Sequence, residues 1–285
     1  MLTNPSFMPP GSPMVISTDF PELTSLDDVR DLRTSYLDAL PKAQDALLET
    51  IVATGRVFGI VAQNRLGGYF VVVDDKLVEY HVSPELETSA HLLFPKFVLE
   101  NGIRSALVKT FDHVFLSCAL DIGERVTVRG VLVRDYVRRE LPDVDRIRYT
   151  RRTATRDDLP RVIAVEQDVF THPERLRTVV ENGHVELFEH DGELIGFCLL
   201  RPVIAGRPDI EVGIAIDTKY RNKGYAIYML REAADLCTAR GLNPVSGCAR
   251  TNEPSIRTGL RVGFSGRYRL IEIRFRDAAS APAAT

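Results

Sequence analysis

Glu211-Val-Gly-Ile-Ala-Ile-Asp-Thr-Lys-Tyr-Arg221-Asn-Lys-Gly224-Tyr-Ala226 is the stretch from which the rest of the chain can be read. Val212 to Ile216 are apolar and β-branched enough for a strand, and they run directly into a glycine-containing turn and a helix start. The amides of a helix's first turn have no partner inside the helix, and with the helix dipole they offer an anion roughly half a positive charge. Gly224 lets a ligand approach the backbone closely, and Arg221 and Lys223 add positive charge at the same point. That combination suits a diphosphate better than a single carboxylate. A tight strand-to-helix turn with solvated basic residues is the plainer reading.

Downstream stands a second segment of this kind, Asn252-Glu-Pro-Ser255-Ile-Arg-Thr-Gly-Leu-Arg-Val-Gly263-Phe264. By itself it reads as the capped start of a helix, with Asn252 as cap and Pro254 in the first turn. Around the two segments the periodicity predicts strand 147–153, helices 157–170 and 174–181, strands 185–189, 194–203 and 210–216, a helix from about Lys223 to Arg240, strand 245–249, helix 254–262 and strand 268–275. Asp191-Gly192 marks a hairpin between the second and third of these strands. Ile227, Leu230, Ala234 and Cys237 fall on one helical face and are expected to pack on the sheet.

The first half follows the same order. Helices are expected over 25–40 and 42–54, then strands 57–62, 68–73 and 77–82 with turns at Gln63-Asn64 and Asp74-Asp75. Helix 88–100, strand 106–110, helix 114–121 and strand 126–134 complete it. Gly102 matches Gly241 and Gly123 matches Gly263, each expected to close a helix before a strand, so the chain reads as internally duplicated. The expected fold is α/β (α+β), with a mostly antiparallel mixed sheet flanked by helices in each of two domains, 1–140 and 146–276. A Pro-rich lead over 9–13 precedes them, and an Ala/Ser/Pro-rich tail, 277–285, is expected to be disordered.

Composition narrows the classes of function. The 285 residues are 45% hydrophobic and 26% charged, which excludes wholesale disorder and fibrous repeats. A net charge of -3 gives no general pull toward nucleic acid or an anionic membrane, so neither is expected as a partner. No apolar run reaches the roughly 18 residues of a membrane span and no signal peptide is visible, which makes the cytoplasm the expected compartment. Cys118, Cys198, Cys237 and Cys248 lie far apart without metal or redox spacing and are read as reduced interior residues. The histidines show no paired spacing, His81, His113 and His184 being read as structural, and no metal is expected. Seven arginines between Arg250 and Arg276 face only Glu253 and Glu272; they read either as a solvated face or as a place for a phosphate or acidic acceptor.

Arg221-Asn-Lys-Gly224-Tyr-Ala226 resembles the R-x-x-G-x-G/A acyl-CoA signature of the GNAT N-acetyltransferase superfamily, and Asn252 to Phe264 resembles its N-x-x-S/A helix ending in Gly-Phe. The order from 147 to 275 resembles a whole GNAT domain, and the first half resembles a degenerate one. The resemblance implies an enzyme that moves acetyl from acetyl-CoA to a primary amine of a small molecule or peptide. It implies that the backbone of Ile214, Ala215 and Ile216 receives the pantetheine arm like an added strand, with the Ile214 and Ile216 side chains packed inward. The amides of Asn222, Lys223, Gly224, Tyr225 and Ala226 would hold the diphosphate, and Arg221 would fix that loop or reach a phosphate oxygen. Asn252 would meet the pantetheine amide and Ser255 would line or cap the next helix.

Acetyl transfer needs a neutral amine, hence a base, and the resemblance points to Glu211, ten residues before Arg221. A solvated glutamate at a strand start is the alternative. The family often places a tyrosine acid seven residues after the motif asparagine, where this chain has Gly259; either Tyr225, Tyr228, Tyr268, Cys248 or Ser246 replaces it, or the weakly basic thiolate leaves without an acid. That departure keeps open a catalytically idle acyl-CoA sensor or scaffold. In the first half the matching loop, 82–90, has no glycine and carries Glu85 and Glu87, and Asp112 falls near the place of Asn252. This half is therefore expected to repel a diphosphate and to supply packing and one wall of the acceptor cleft. An exposed sheet edge in either half leaves a homodimer open.

Overall fold

The computed structural model describes residues 18–141, 148–165 and 173–276. The Pro-rich lead, the tail 277–285, residues 142–145 of the boundary expected over 138–145 and the end of the helix expected over 157–170 lie outside them.

In chain order the first half contains β1 (Thr18–Asp19), β2 (Glu22–Leu23), α1 (Arg30–Ala39), α2 (Ala46–Val52), β3 (Arg56–Ala62), β4 (Arg65–Val73), β5 (Lys76–Val82), α3 (Ala90–Glu100), β6 (Ser105–Lys109), α4 (His113–Asp121) and β7 (Gly123–Arg134). The second contains β8 (Thr150–Thr153), α5 (Leu159–Val165), α6 (Pro173–Glu181), β9 (Val185–His190), β10 (Glu193–Pro202), β11 (Asp209–Ile216), α7 (Tyr225–Ala239), β12 (Asn243–Ala249), α8 (Glu253–Val262) and β13 (Ser265–Phe275).

Local chemistry accounts for most boundaries. Gln63-Asn64 and Asp191-Gly192 turn their hairpins with positive φ at both residues, as the right-handed twist of the flanking strands requires. Gly102 (φ 63°) and Gly241 (φ 71°) end α3 and α7 in the left-handed region. Gly123 does not repeat this: it already belongs to β7, and only Gly263 (φ 126°) of that expected pair has a positive φ. The helix expected from residue 42 starts only at Ala46, because Asp45 caps it by accepting the amides of Leu47 and Leu48 at 3.1 Å. The short edge strands β1 and β2, both on β3, were not visible in the pattern.

The sheet runs without a break through both halves, in the order β1-β3-β4-β5-β6-β13-β7-β12-β11-β10-β9-β8. Two junctions, β5–β6 and β11–β12, are parallel and the remainder antiparallel. The last strand of each half is exchanged. β13 pairs with β6 of the first half from Leu270↔Lys109 to Arg274↔Ser105, and β7 pairs with β12 of the second from Ser246↔Val133 to Ala249↔Gly130. The two exchanged strands pair with each other down the middle.

Packing follows that exchange. In the first half α1 and α2 cover one face through Leu32, Leu48 and Val52, while α3 and α4 cover the other through Phe94, Phe97 and Phe115. β13 sends Leu270 into the first of these clusters and Ile271, Ile273 and Phe275 into the second. In the second half α5 and α6 pack Val162 and Leu176 on one face, and α7 and α8 pack Met229, Leu230, Ala234 and Val262 on the other, joined there by Val133 of β7.

Candidate active site

β11 and β12 are hydrogen-bonded neighbours only at Asp209↔Asn243, Ile210↔Pro244 and Glu211↔Val245. Beyond that point they part, while their outer edges stay paired with β10 and β7. A wedge therefore opens in mid-sheet, walled by half-buried residues of both strands, Gly213 to Ile216 and Ser246 to Cys248. Unpaired strand backbone there can take an extended, amide-bearing arm as an extra strand. Ile214 and Ile216 pack their side chains with the α7/α8 core, and Ala215 points to the α5/α6 core, as strand alternation demands.

At the wide end of the wedge the chain enters the loop before α7. The Asp217 carboxylate accepts the Lys219 amide at 2.9 Å, and Arg221 donates Nε–H to the Ile216 carbonyl at 3.0 Å, so Arg221 fixes the loop. Asn222 (φ 62°) and Gly224 (φ 88°) are both left-handed, and Gly224 caps α7 without any side chain to occupy the amides behind it. The amides of Tyr220, Arg221 and Ile227 are bonded, whereas those of Asn222 to Ala226 have no partner among the described residues. Consecutive free amides at a helix N-terminus form a concavity for an anion, and Lys223 stands beside it with Nζ 5.5 Å from the Tyr220 ring.

Across the wedge, Asn252 caps α8: its side-chain oxygen accepts the Ser255 amide at 3.2 Å. On β12, burial raises the Cys248 thiol above its ordinary pKa, with Ser255 of α8 pulling the other way. Gly259 is buried, and a Cβ there would stand 3.5 Å from Val133 Cγ1. α8 therefore brings no hydroxyl into the wedge at that position.

Glu211 lies at the apex, in register with Val245, whose side chain packs on Ala46 of α2. Its carboxylate accepts a hydrogen bond from Arg201 Nη2 of β10 at 2.5 Å. Burial pushes the Glu211 pKa above the ordinary carboxylate value; Arg201 pulls it down, Asp45 raises it, and Arg134 pulls it down. Arg134, 1% exposed at the end of exchanged β7, donates to the carbonyls of Ala43, Gln44, Val133 and Ser246. On the same face, two residues before Glu211, a cavity of about 200 Å³ opens between the halves, lined among others by Leu37, Lys42, Arg134, Asp209 and Asn243.

Arg134, Arg201 and Asp45 escaped the sequence reading. Two of them belong to the first half, and no spacing along the chain links them to Glu211. The first half's own wedge is shut. β5 and β6 pair only at Lys76↔Ser105 and Leu77↔Ala106, as β11 and β12 do, but buried side chains fill the opening. Lys109 donates to the Tyr36 hydroxyl and that hydroxyl to Asp112, each at 2.5 Å. Tyr69 and Arg33 both donate to Glu79, at 2.8 Å. Asp112 caps α4 by position as Asn252 caps α8.

Among the described residues no group of three His, Cys, Asp or Glu side chains could hold a metal ion, and no helix is long and apolar enough to cross a membrane. The families "Acetyltransferase (GNAT) domain" and "Acetyltransferase (GNAT) family" match residues 25–136 and 147–264 respectively, between them most of the chain. The protein belongs to the GNAT acetyltransferases, with two GNAT domains in tandem. Among solved structures it is similar to a GNAT-family acetyltransferase from Colwellia psychrerythraea, with 18% identity, 90% of this chain and 100% of that one covered, and a TM-score of 0.81. A GCN5-related N-acetyltransferase from Sphaerobacter thermophilus is similar at 16% identity, covering 90% and 95%, TM-score 0.58. A tandem GNAT protein from the clavulanic acid biosynthesis pathway is similar at 15%, covering 94% and 100%, TM-score 0.55. At these identities the likeness is one of fold. No curated protein matches in sequence.

Proposed function

We propose that the second half transfers acetyl from acetyl-CoA to a primary amine of a small molecule or peptide, by direct attack of the amine on the thioester. The observation that carries this reading is the mid-sheet wedge ending on the free amides of Asn222 to Ala226, which fits an arm with a diphosphate at its end. Ile214, Ala215 and Ile216 would hold the arm through their backbone. Asn252, whose oxygen is taken by its cap, would offer its amide nitrogen, and Ser255 would line the wedge.

Acetyl-CoA supplies the activated acyl carbon. Glu211 takes a proton from the acceptor's ammonium, freeing the nitrogen lone pair that forms the new C–N bond as the C–S bond breaks. To do so it must part from Arg201, and its raised pKa favours proton uptake. Among the acid candidates, Cys248 stands on the β12 edge of the wedge, against α8, and keeps its proton at neutral pH. Tyr268 packs instead with Phe111 beneath α1 and α2. We assign Cys248 the return of a proton to the departing thiolate, a modest aid beside the placement of the reactants.

Acetyl-CoA titration by calorimetry, then thiol release over a panel of primary amines, tests the reading. Glu211→Gln should bind acetyl-CoA as the parent does and turn over far more slowly, without the parent's rise in rate as pH climbs through the Glu211 pKa. Equal rates at every pH would remove Glu211 as base. The buried Gly259 favours one other reading, an idle acyl-CoA sensor, which tight binding without turnover of any amine would support.

A further inference from the structure

The connection between α1 and α2 belongs to the first half yet lies over the second half's wedge. Asp45 ends it. One carboxylate oxygen caps α2, holding the Leu47 and Leu48 amides; the other, Oδ2, would lie 2.8 Å from a Cβ placed on Gly247. Gly247 is two residues beyond Val245, the last β12 residue paired with β11, so this oxygen sits over the apex of the wedge. Its side chain is 8% exposed, and Oδ2 lies 3.9 Å from Arg134 Nη2. The segment is mounted from behind by the closed wedge of the first half, where Gln44 donates to Glu79 at 3.3 Å.

Charged groups of both halves meet at Glu211. Glu211 faces Arg201 from β10, Arg134 from β7 and Asp45 from the α1–α2 connection; Asp135 and Asp209 act on Arg134 from β7's end and β11. Resting on the transferase reading above, we propose that Asp45 is a positioning residue for the second half's chemistry. Seated over Gly247, its carboxylate partners Arg134 and leaves Glu211 one guanidinium, that of Arg201, to part from when it takes the acceptor's proton. Without Asp45, Arg134 loses the strongest of its carboxylate partners, keeping Asp209 and Asp135, and its charge bears more fully on Glu211, which then holds a proton less readily.

Asp45→Asn tests this cleanly, because asparagine caps a helix about as well as aspartate while removing the charge. The Glu211 side-chain carboxyl is followed by ¹³C NMR of glutamate-labelled protein, its signal identified by its loss in Glu211→Gln. In Asp45→Asn the Glu211 midpoint should fall by about one pH unit. The acid limb of the acetylation rate should fall with it, and kcat should drop severalfold with acetyl-CoA affinity unchanged. Gly247→Ala, which pushes the carboxylate off its seat, should move the midpoint the same way with Asp45 still present. Midpoints unchanged in both variants overturn the proposal. If the parent binds acetyl-CoA but acetylates no amine, the transferase reading falls, and the midpoints still decide whether Asp45 acts on Glu211.

Discussion

Ile273 lies near the C-terminal end of the chain, in β13, yet the structure predicts that shortening it weakens the first half. The side chain is 0% exposed and packs among Phe94, Phe97, Phe115 and Phe275, under α3 and α4. Ile273→Ala removes three carbons from a close-packed interior that relaxes only partly, at a cost of about 2–5 kcal/mol. That is a large share of the roughly 5–15 kcal/mol by which a domain is stable. A loss near 3 kcal/mol corresponds to roughly a hundredfold faster opening of the affected unit. Hydrogen exchange read by mass spectrometry should show that acceleration in peptides covering 90–100 and 113–121, with 225–239 much less affected. Faster exchange confined to 225–262, with the first-half helices at their parent rates, would refute the exchange of final strands between the halves.

Other expectations follow from single sites. Gly224→Val forces a branched residue to φ 88°, which costs about 1–2 kcal/mol, so acetyl-CoA should bind roughly tenfold more weakly by calorimetry; equal affinity would sink the loop assignment. Asp158 takes two hydrogen bonds from Arg152, at 2.6 and 2.7 Å, and these hold its carboxyl well below the usual range. Because its pKa is depressed by folding, its contribution is complete above about pH 4, the unfolded value, and fades as pH falls below that. Asp158→Asn should thus melt below the parent at pH 7, with the gap closing in acid; a gap that stays constant contradicts this. Cys248 is half-buried while Cys118, Cys198 and Cys237 are buried, so at pH 9 iodoacetamide should label Cys248 first, and acetyl-CoA should slow it. Labelling indifferent to acetyl-CoA would place Cys248 outside the site.

Much of the molecule was legible in one dimension because it is set locally. Element order follows from apolar periodicity, and the hairpins at Gln63-Asn64 and Asp191-Gly192 follow from residues that tolerate positive φ. The helix stops at Gly102 and Gly241 follow from the same tolerance. The loop from Arg221 to Ala226 is equally local, since free amides at a helix start need only a strand, a glycine and a helix in succession. The retreat of α2 to Ala46 belongs here too: Asp45 is an ordinary cap residue, and the boundary moved to meet it.

Pairing at the centre of the sheet and the make-up of the apex were decided in three dimensions. An alternating strand such as β7 or β13 carries the same period whether it closes its own half or the other, and backbone hydrogen bonds do not record which half the neighbour belongs to. The exchange puts Arg134 beside β12, and the α1–α2 connection puts Asp45 over Gly247, bringing to Glu211 charges that lie far from it along the chain. The closed first wedge is a matter of the same kind, since Tyr36, Tyr69, Glu79, Lys109 and Asp112 come from five separate elements or their ends. The sequence alone determined the order of the main strands and helices and the glycine turn from Arg221 to Ala226 with its free amides, because φ, ψ and side-chain period are properties of neighbouring residues. Tertiary structure alone decided which strands lie side by side and which charges surround Glu211, because pairing energy and Coulomb interaction depend on distance in space.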